Sequence, residues 1–87
     1  MTNIYCYCLF DGRGIFHGVY SSATAVHRDA MSLCNQSSTS VVVHNNGEIA
    51  RPSVTLLRNI FKGHVDIQVI YTAGVHEARI IKTKLKE

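Results

Sequence analysis

The stretch NIYCYCLFDGRGIFHGVYSS, residues 3–22, constrains the fold more than any other part of the chain. Residues 3–10 are rich in β-forming side chains. Period-two alternation puts Ile4, Cys6, Cys8 and Phe10 on one face and Tyr5, Tyr7 and Leu9 on the other. Asp11-Gly12-Arg13-Gly14 supplies turn residues, with glycines free to take positive φ. Ile15 to Tyr20 reads as the returning strand of a hairpin. Ser21 and Ser22 follow at once, and either hydroxyl can accept from the free N–H groups of a first helical turn. A hairpin that runs straight into a helix requires a sheet with that helix packed on it.

The rest of the chain repeats this logic. In ATAVHRDAMSLCNQ, Ala23, Val26, Ala30, Leu33 and Cys34 recur at three- and four-residue steps, which predicts an amphipathic helix with Asn35 near its end. Thr39 to His44 is a β-branched run, Asn45-Asn46-Gly47 is a tight-turn signal, and Glu48 to Ala50 is long enough only for a brief returning strand. Pro52 and Ser53 announce a second helix, with Ser53 as its cap, Val54, Leu57, Ile60 and Phe61 as its apolar stripe, and Gly63 as its stop. Val65, Ile67, Val69 and Tyr71 alternate as a strand, and Thr72-Ala73-Gly74 turns the chain. The last segment, VHEARIIKTKLKE, reads first as a strand with Val75, Glu77, Arg79, Ile81, Thr83 and Leu85 on one face. Ala78, Ile81 and Leu85 also fit helical spacing.

The expected order is β-β-α-β-(β)-α-β-β. Hairpins at both ends predict an α+β fold: an antiparallel sheet of four to five strands with two helices packed on one face. The 87 residues form a single domain, 1–87. Tyr5 and Tyr7 would then lie on the uncovered sheet face, with Ile80 joining them, as an apolar contact patch.

Composition narrows the function classes. At 46% hydrophobic and 17% charged residues, the chain is too apolar for disorder and too broken by polar residues for a membrane span. The N-terminus lacks the basic-then-apolar pattern of a secretory leader. Three cysteines, an odd number without a spaced framework, argue against a disulfide-stapled secreted domain and for a reducing, cytoplasmic setting.

Local chemical signatures are sparse. Cys6 and Cys8 lack the second short-spaced pair that structural zinc uses, and small buried thiols pack as hydrophobes, so both read as core. Cys34 would have to approach them for a site to form. DGRG joins two strands and is too short for a phosphate loop. The five histidines are scattered, and the acids show no spacing suited to paired general acid and base work. No catalytic residue, metal ligand or cofactor is assigned, and the chain reads as a non-enzyme.

Charge gives the most useful lead. Residues 1–50 carry Arg13 and Arg28 against Asp11, Asp29 and Glu48, a net −1. Residues 51–87 carry seven Lys or Arg against Asp66, Glu77 and Glu87, a net +4. A basic half points to an acidic partner, nucleic acid or protein. Arg51, Arg58 and Lys62 lie on or beside the second helix, while Arg79, Lys82, Lys84 and Lys86 crowd the end of the chain. Such a set can track phosphates, but no aromatic lies among the last twelve residues to stack bases. Lysines also protect an edge strand from aggregation.

FDGRGIFHGVYSSATAVHRDAMSLCNQ resembles a hairpin–helix pattern of small phage-encoded proteins. VVVHNNGEIARPSVTLLRNIFKG, with the lysine-rich IIKTKLKE, is similar to short early-gene products of T-even-like bacteriophages. The resemblance implies a host-takeover or anti-defence role, a small binder that blocks a nuclease, a defence complex or a toxin. It carries over no individual residue.

Together these readings lead to a small phage-type interaction protein acting in the host cytoplasm. It would bind and inhibit a host protein, most simply as a homodimer, with no membrane partner. The expected contact residues are Tyr5, Tyr7, Arg51, Arg58, Lys62, Arg79, Lys82 and Lys84. The alternatives are a nucleic-acid-binding accessory protein that uses the basic half, and an intersubunit sponge for a nucleotide signal.

Overall fold

The computed structural model describes residues 5–34, 40–63 and 67–84. Its elements are β1 (Tyr5–Asp11), β2 (Phe16–Tyr20), α1 (Ala23–Cys34), β3 (Val42–Asn45), β4 (Glu48–Ala50), α2 (Val54–Phe61), β5 (Gln68–Ala73) and β6 (His76–Lys84). The strands form one antiparallel sheet in the order β2-β1-β6-β5-β3-β4. The α+β architecture therefore matches the sequence pattern, with six strands rather than four to five. Glu48–Ala50, short as it is, pairs fully with β3. Among the described residues no helix is long and apolar enough to cross a membrane.

The punctuation works through identifiable contacts. Asp11 organises the first turn: its carboxylate accepts from the Arg13 and Ile15 N–H groups at 2.8 and 3.0 Å, and Gly14 takes φ 81°. Asn46 and Gly47, both at positive φ, make the tight β3–β4 turn. Ser22 caps α1, its hydroxyl accepting from the Ala25 N–H. Ser53 caps α2, accepting from the Leu56 N–H at 3.0 Å. Ser53→Ala removes that acceptor and is expected to cost about 1 kcal/mol. In a domain of this size that lowers the melting temperature by about 4–8 °C, readable by calorimetry.

The final segment is a strand, the first of the two readings it allowed, and it pairs with β1 and β5. The turn before it falls at Gly74 and Val75, because Ala73 already pairs with His76. Thr39, Val65 and Asp66, the helix-ending Asn35, and Ile4, Leu85 and Lys86 lie outside the described residues.

Both helices pack on one face of the sheet. Val69, Tyr71 and Ala73 on β5, Ala78 and Ile80 on β6, Leu9 on β1 and Val43 on β3 meet Val26, Ala30 and Cys34 of α1 and Leu57 and Phe61 of α2. α1 lies over β6, and its small residues face Ala73 and Ala78, which allows a close helix–sheet approach.

This arrangement overturns the expected facing of β1. Leu9 pairs with Ile80 and Tyr7 with Lys82, so Tyr5, Tyr7 and Leu9 point to the helices. Cys6, Cys8 and Phe10 point the other way, beside Thr83, Ile81 and Arg79. Ile80, expected on the open face, is fully buried in the core. The physical reason lies in β6. Its buried residues are Ala78 and Ile80, of which Ile80 is in register with Leu9, and a one-residue slip would turn the whole set to solvent. Cys6 is still buried, but on the side away from the helices.

Candidate interaction surface

Strand pairing does what the linear sequence conceals: it interleaves tyrosines with lysines. In the β1–β6 ladder Tyr5 stands opposite Lys84 and Tyr7 opposite Lys82, all four on the helix side of the sheet. The Lys82 ammonium sits 5.0 Å from the Tyr5 ring centre and 6.0 Å from that of Tyr7, within cation–π range. It also donates to the Phe61 carbonyl at 3.1 Å. That carbonyl lies in the last turn of α2, where unpaired acceptors and the helix dipole favour a cation.

α2 supplies the other side of this corner. The Phe61 ring meets Tyr7 edge-on with centres 5.5 Å apart. Lys62 follows as the exposed C-cap. Arg58, one turn earlier, donates to the Thr24 hydroxyl at the start of α1. Burial pushes the Tyr7 hydroxyl above its ordinary pKa, and the nearby Arg58 guanidinium partly opposes this. Six of the expected contact residues, Tyr5, Tyr7, Arg58, Lys62, Lys82 and Lys84, therefore meet at one corner. Tyr7 is half-buried there, whereas Tyr5, Arg58, Lys62 and Lys84 are exposed.

The other two do not join them. Arg79 lies on the opposite face of the sheet, bound to Glu77 at 2.6 Å. Arg51 precedes α2 and so stands at the other end of that eight-residue helix, about 12 Å long. Three features of the corner had no linear signal: the aromatic supply from β1, the Phe61 carbonyl under Lys82 and the Arg58–Thr24 tie. The absence of aromatics near KTKLKE is true of the chain and false of the surface.

The remaining polar groups form separate pairs. Tyr20 donates to Asp29 at 2.6 Å, and this bond, with Arg28, holds the Asp29 carboxyl below its usual range. His17 meets Asp11 at 3.1 Å, which lowers the Asp11 pKa together with the backbone donors of the turn. His27 bonds Tyr71 at 2.7 Å and His44 bonds Thr72 at 2.9 Å. The Cys34 thiol points to the Tyr71 carbonyl on the helix side, so the sheet separates it from Cys6 and Cys8. Burial pushes the Cys8 and Cys34 thiols up, away from the reactive thiolate form. Among the described residues no three His, Cys, Asp or Glu side chains gather as metal ligands.

Two grooves lie away from this corner. One groove of about 470 Å³ is lined by Asn45, Asn46, Ile60, Ile67 and Gln68. Another, of about 540 Å³, sits by the β1–β2 and β5–β6 turns, where Asp11 and Glu77 stand beside Arg13 and His76. Comparison with protein-family models, curated proteins and solved structures finds no match to the chain.

Proposed function

We propose that the chain is a non-enzymatic interaction protein whose Tyr5/Lys82/Arg58 corner engages an acidic surface of a protein partner. The observation that carries this reading is the pairing of Tyr5 and Tyr7 with Lys84 and Lys82 across the β1–β6 ladder, beside Arg58 and Lys62. Tyrosine and arginine are the side chains most often dominant at protein interfaces. Four basic groups around one exposed ring give both steering and an apolar anchor. With the resemblance to phage early products, the partner becomes a host protein that binding inhibits in the host cytoplasm.

Nucleic acid is the second reading, favoured by the same interleaving of tyrosine and lysine. It fits less well. Stacking along a strand needs successive accessible rings, and here only Tyr5 is exposed, because Tyr7 lies against Phe61. A nucleotide-signal sponge would need an anion pocket, and the two grooves described above do not use these lysines.

Affinity capture from a natural-host lysate tests the proposal. A stoichiometric protein that remains after nuclease treatment is the expected result. Recovery of nucleic acid alone supports the second reading, and recovery of neither removes both.

A further inference from the structure

The helix-free face of the sheet carries an apolar band beside the polar Gln68, Thr72, Thr83 and His44. Phe16 and Val19 on β2, 53% and 58% exposed, continue through Cys8 and Phe10 on β1 to Ile81 on β6 and Ile70 on β5. Ile49 at the far edge is 65% exposed. A one-sided antiparallel sheet normally presents alternating polar residues on its solvent side. Among the described residues no helix lies over this face. We propose that it is a self-association surface, on which a second copy of this chain stacks sheet to sheet about a two-fold axis.

Charge favours a copy of the same chain as the occupant. Among the described strand residues Glu77 and Arg79 are the only Asp, Glu, Lys or Arg side chains on this face, and they bind each other at 2.6 Å. The face is thus neutral and does not repel itself, although the chain as a whole carries +3. The basic corner lies on the opposite side of the sheet. Stacking the neutral faces keeps the two basic corners apart and points them outward.

Size agrees. Six strands about 4.8 Å apart and roughly 20 Å long give a projected face of about 500–600 Å². Side-chain relief raises its accessible area toward the ~800 Å² per partner of a standard stable interface. Aligned sheets stack about 10 Å apart, with the strands of the two layers crossed by about 30°. A two-fold axis makes one patch serve both copies and closes the assembly at two. The dimer would then offer two identical corners to a partner, which raises avidity without any new contact.

Sedimentation analysis in reducing buffer, so that thiols cannot cross-link, tests this. The wild-type chain is expected to sediment at twice its 9.7 kDa mass. Val19→Asp is expected to weaken the dimer at least tenfold with an unchanged circular dichroism spectrum, since Val19 lies outside the buried core. Ile49→Lys, at the far edge of the face, provides a second and independent disruption, and Lys84→Glu on the opposite side leaves the dimer intact. A monomeric wild-type chain, its face left to another protein or a lipid surface, overturns the proposal. So does a dimer that survives both face variants or is lost with Lys84→Glu. Neither result bears on the basic corner, whose test reads partner capture.

Discussion

Phe61→Ala lowers the stability of this protein by about 3–5 kcal/mol, the range for removing a buried aromatic ring and leaving a cavity. Phe61 is fully buried in the core and makes the edge contact with Tyr7. An 87-residue domain has only about 4–13 kcal/mol in total. The substitution therefore removes much of the margin and shifts the urea midpoint sharply. It also loosens the end of α2, so Lys82 loses the fixed carbonyl beneath it. Equilibrium denaturation followed by circular dichroism measures the loss, and a change below about 1 kcal/mol would show that the α2–β1 seam does not hold the corner together.

Tyr71→Ala is expected to cost about as much, 3–5 kcal/mol, for a different combination of reasons. The ring is completely buried, and its hydroxyl, kept protonated by burial, shares a hydrogen bond with His27 Nδ1. Tyr71→Phe separates the two contributions: it keeps the ring, strands the His27 nitrogen and costs about 1–3 kcal/mol. The same pair sets a pH dependence. Burial lowers the His27 pKa, so the folded protein binds its proton less readily than the unfolded chain. The stability this confers is complete above the unfolded value of about 6.5 and is lost as pH falls below it toward the folded pKa. Asp11 and Asp29, also held low, act in the same direction but only below about pH 4. His27→Gln is therefore expected to flatten the fall that begins below about pH 6.5 and to leave the steeper acid limb in place.

How far the sequence reveals this protein differs sharply between fold and site. Caps, turns and periodicities are local, and Ser53, Asn46-Gly47 and the stripe Leu57 and Phe61 mark their elements directly. The facing of β1 is not local. Both of its faces are apolar, Cys6, Cys8 and Phe10 against Tyr5, Tyr7 and Leu9, so alternation alone cannot choose between them. The choice is made 70 residues later by Ala78 and Ile80, which bring Leu9 under α1 and Tyr7 against α2.

The same non-locality hides the candidate site. Arg58 and Lys62 advertise themselves as basic residues near one another on a helix, and Lys82 and Lys84 as alternating residues on a strand. Nothing in either segment says that the two pairs converge, or that tyrosines from the other end of the chain lie between the lysines. Arg79 shows the converse: its neighbours in sequence are basic, yet strand parity sends it to the opposite face and into an ion pair with Glu77.

The central claim is that the corner at Tyr5, Arg58 and Lys84 holds an acidic protein. The direct measurement is the affinity of the captured partner for the wild-type chain and for an Arg58→Glu/Lys84→Glu variant, from about 0.05 to about 0.5 M salt. Both side chains are exposed and outside the core, so the variant folds. The expected result is binding at least tenfold weaker for the variant at low salt, with the difference shrinking as salt rises. Equal affinities for the two chains at low salt would contradict the claim.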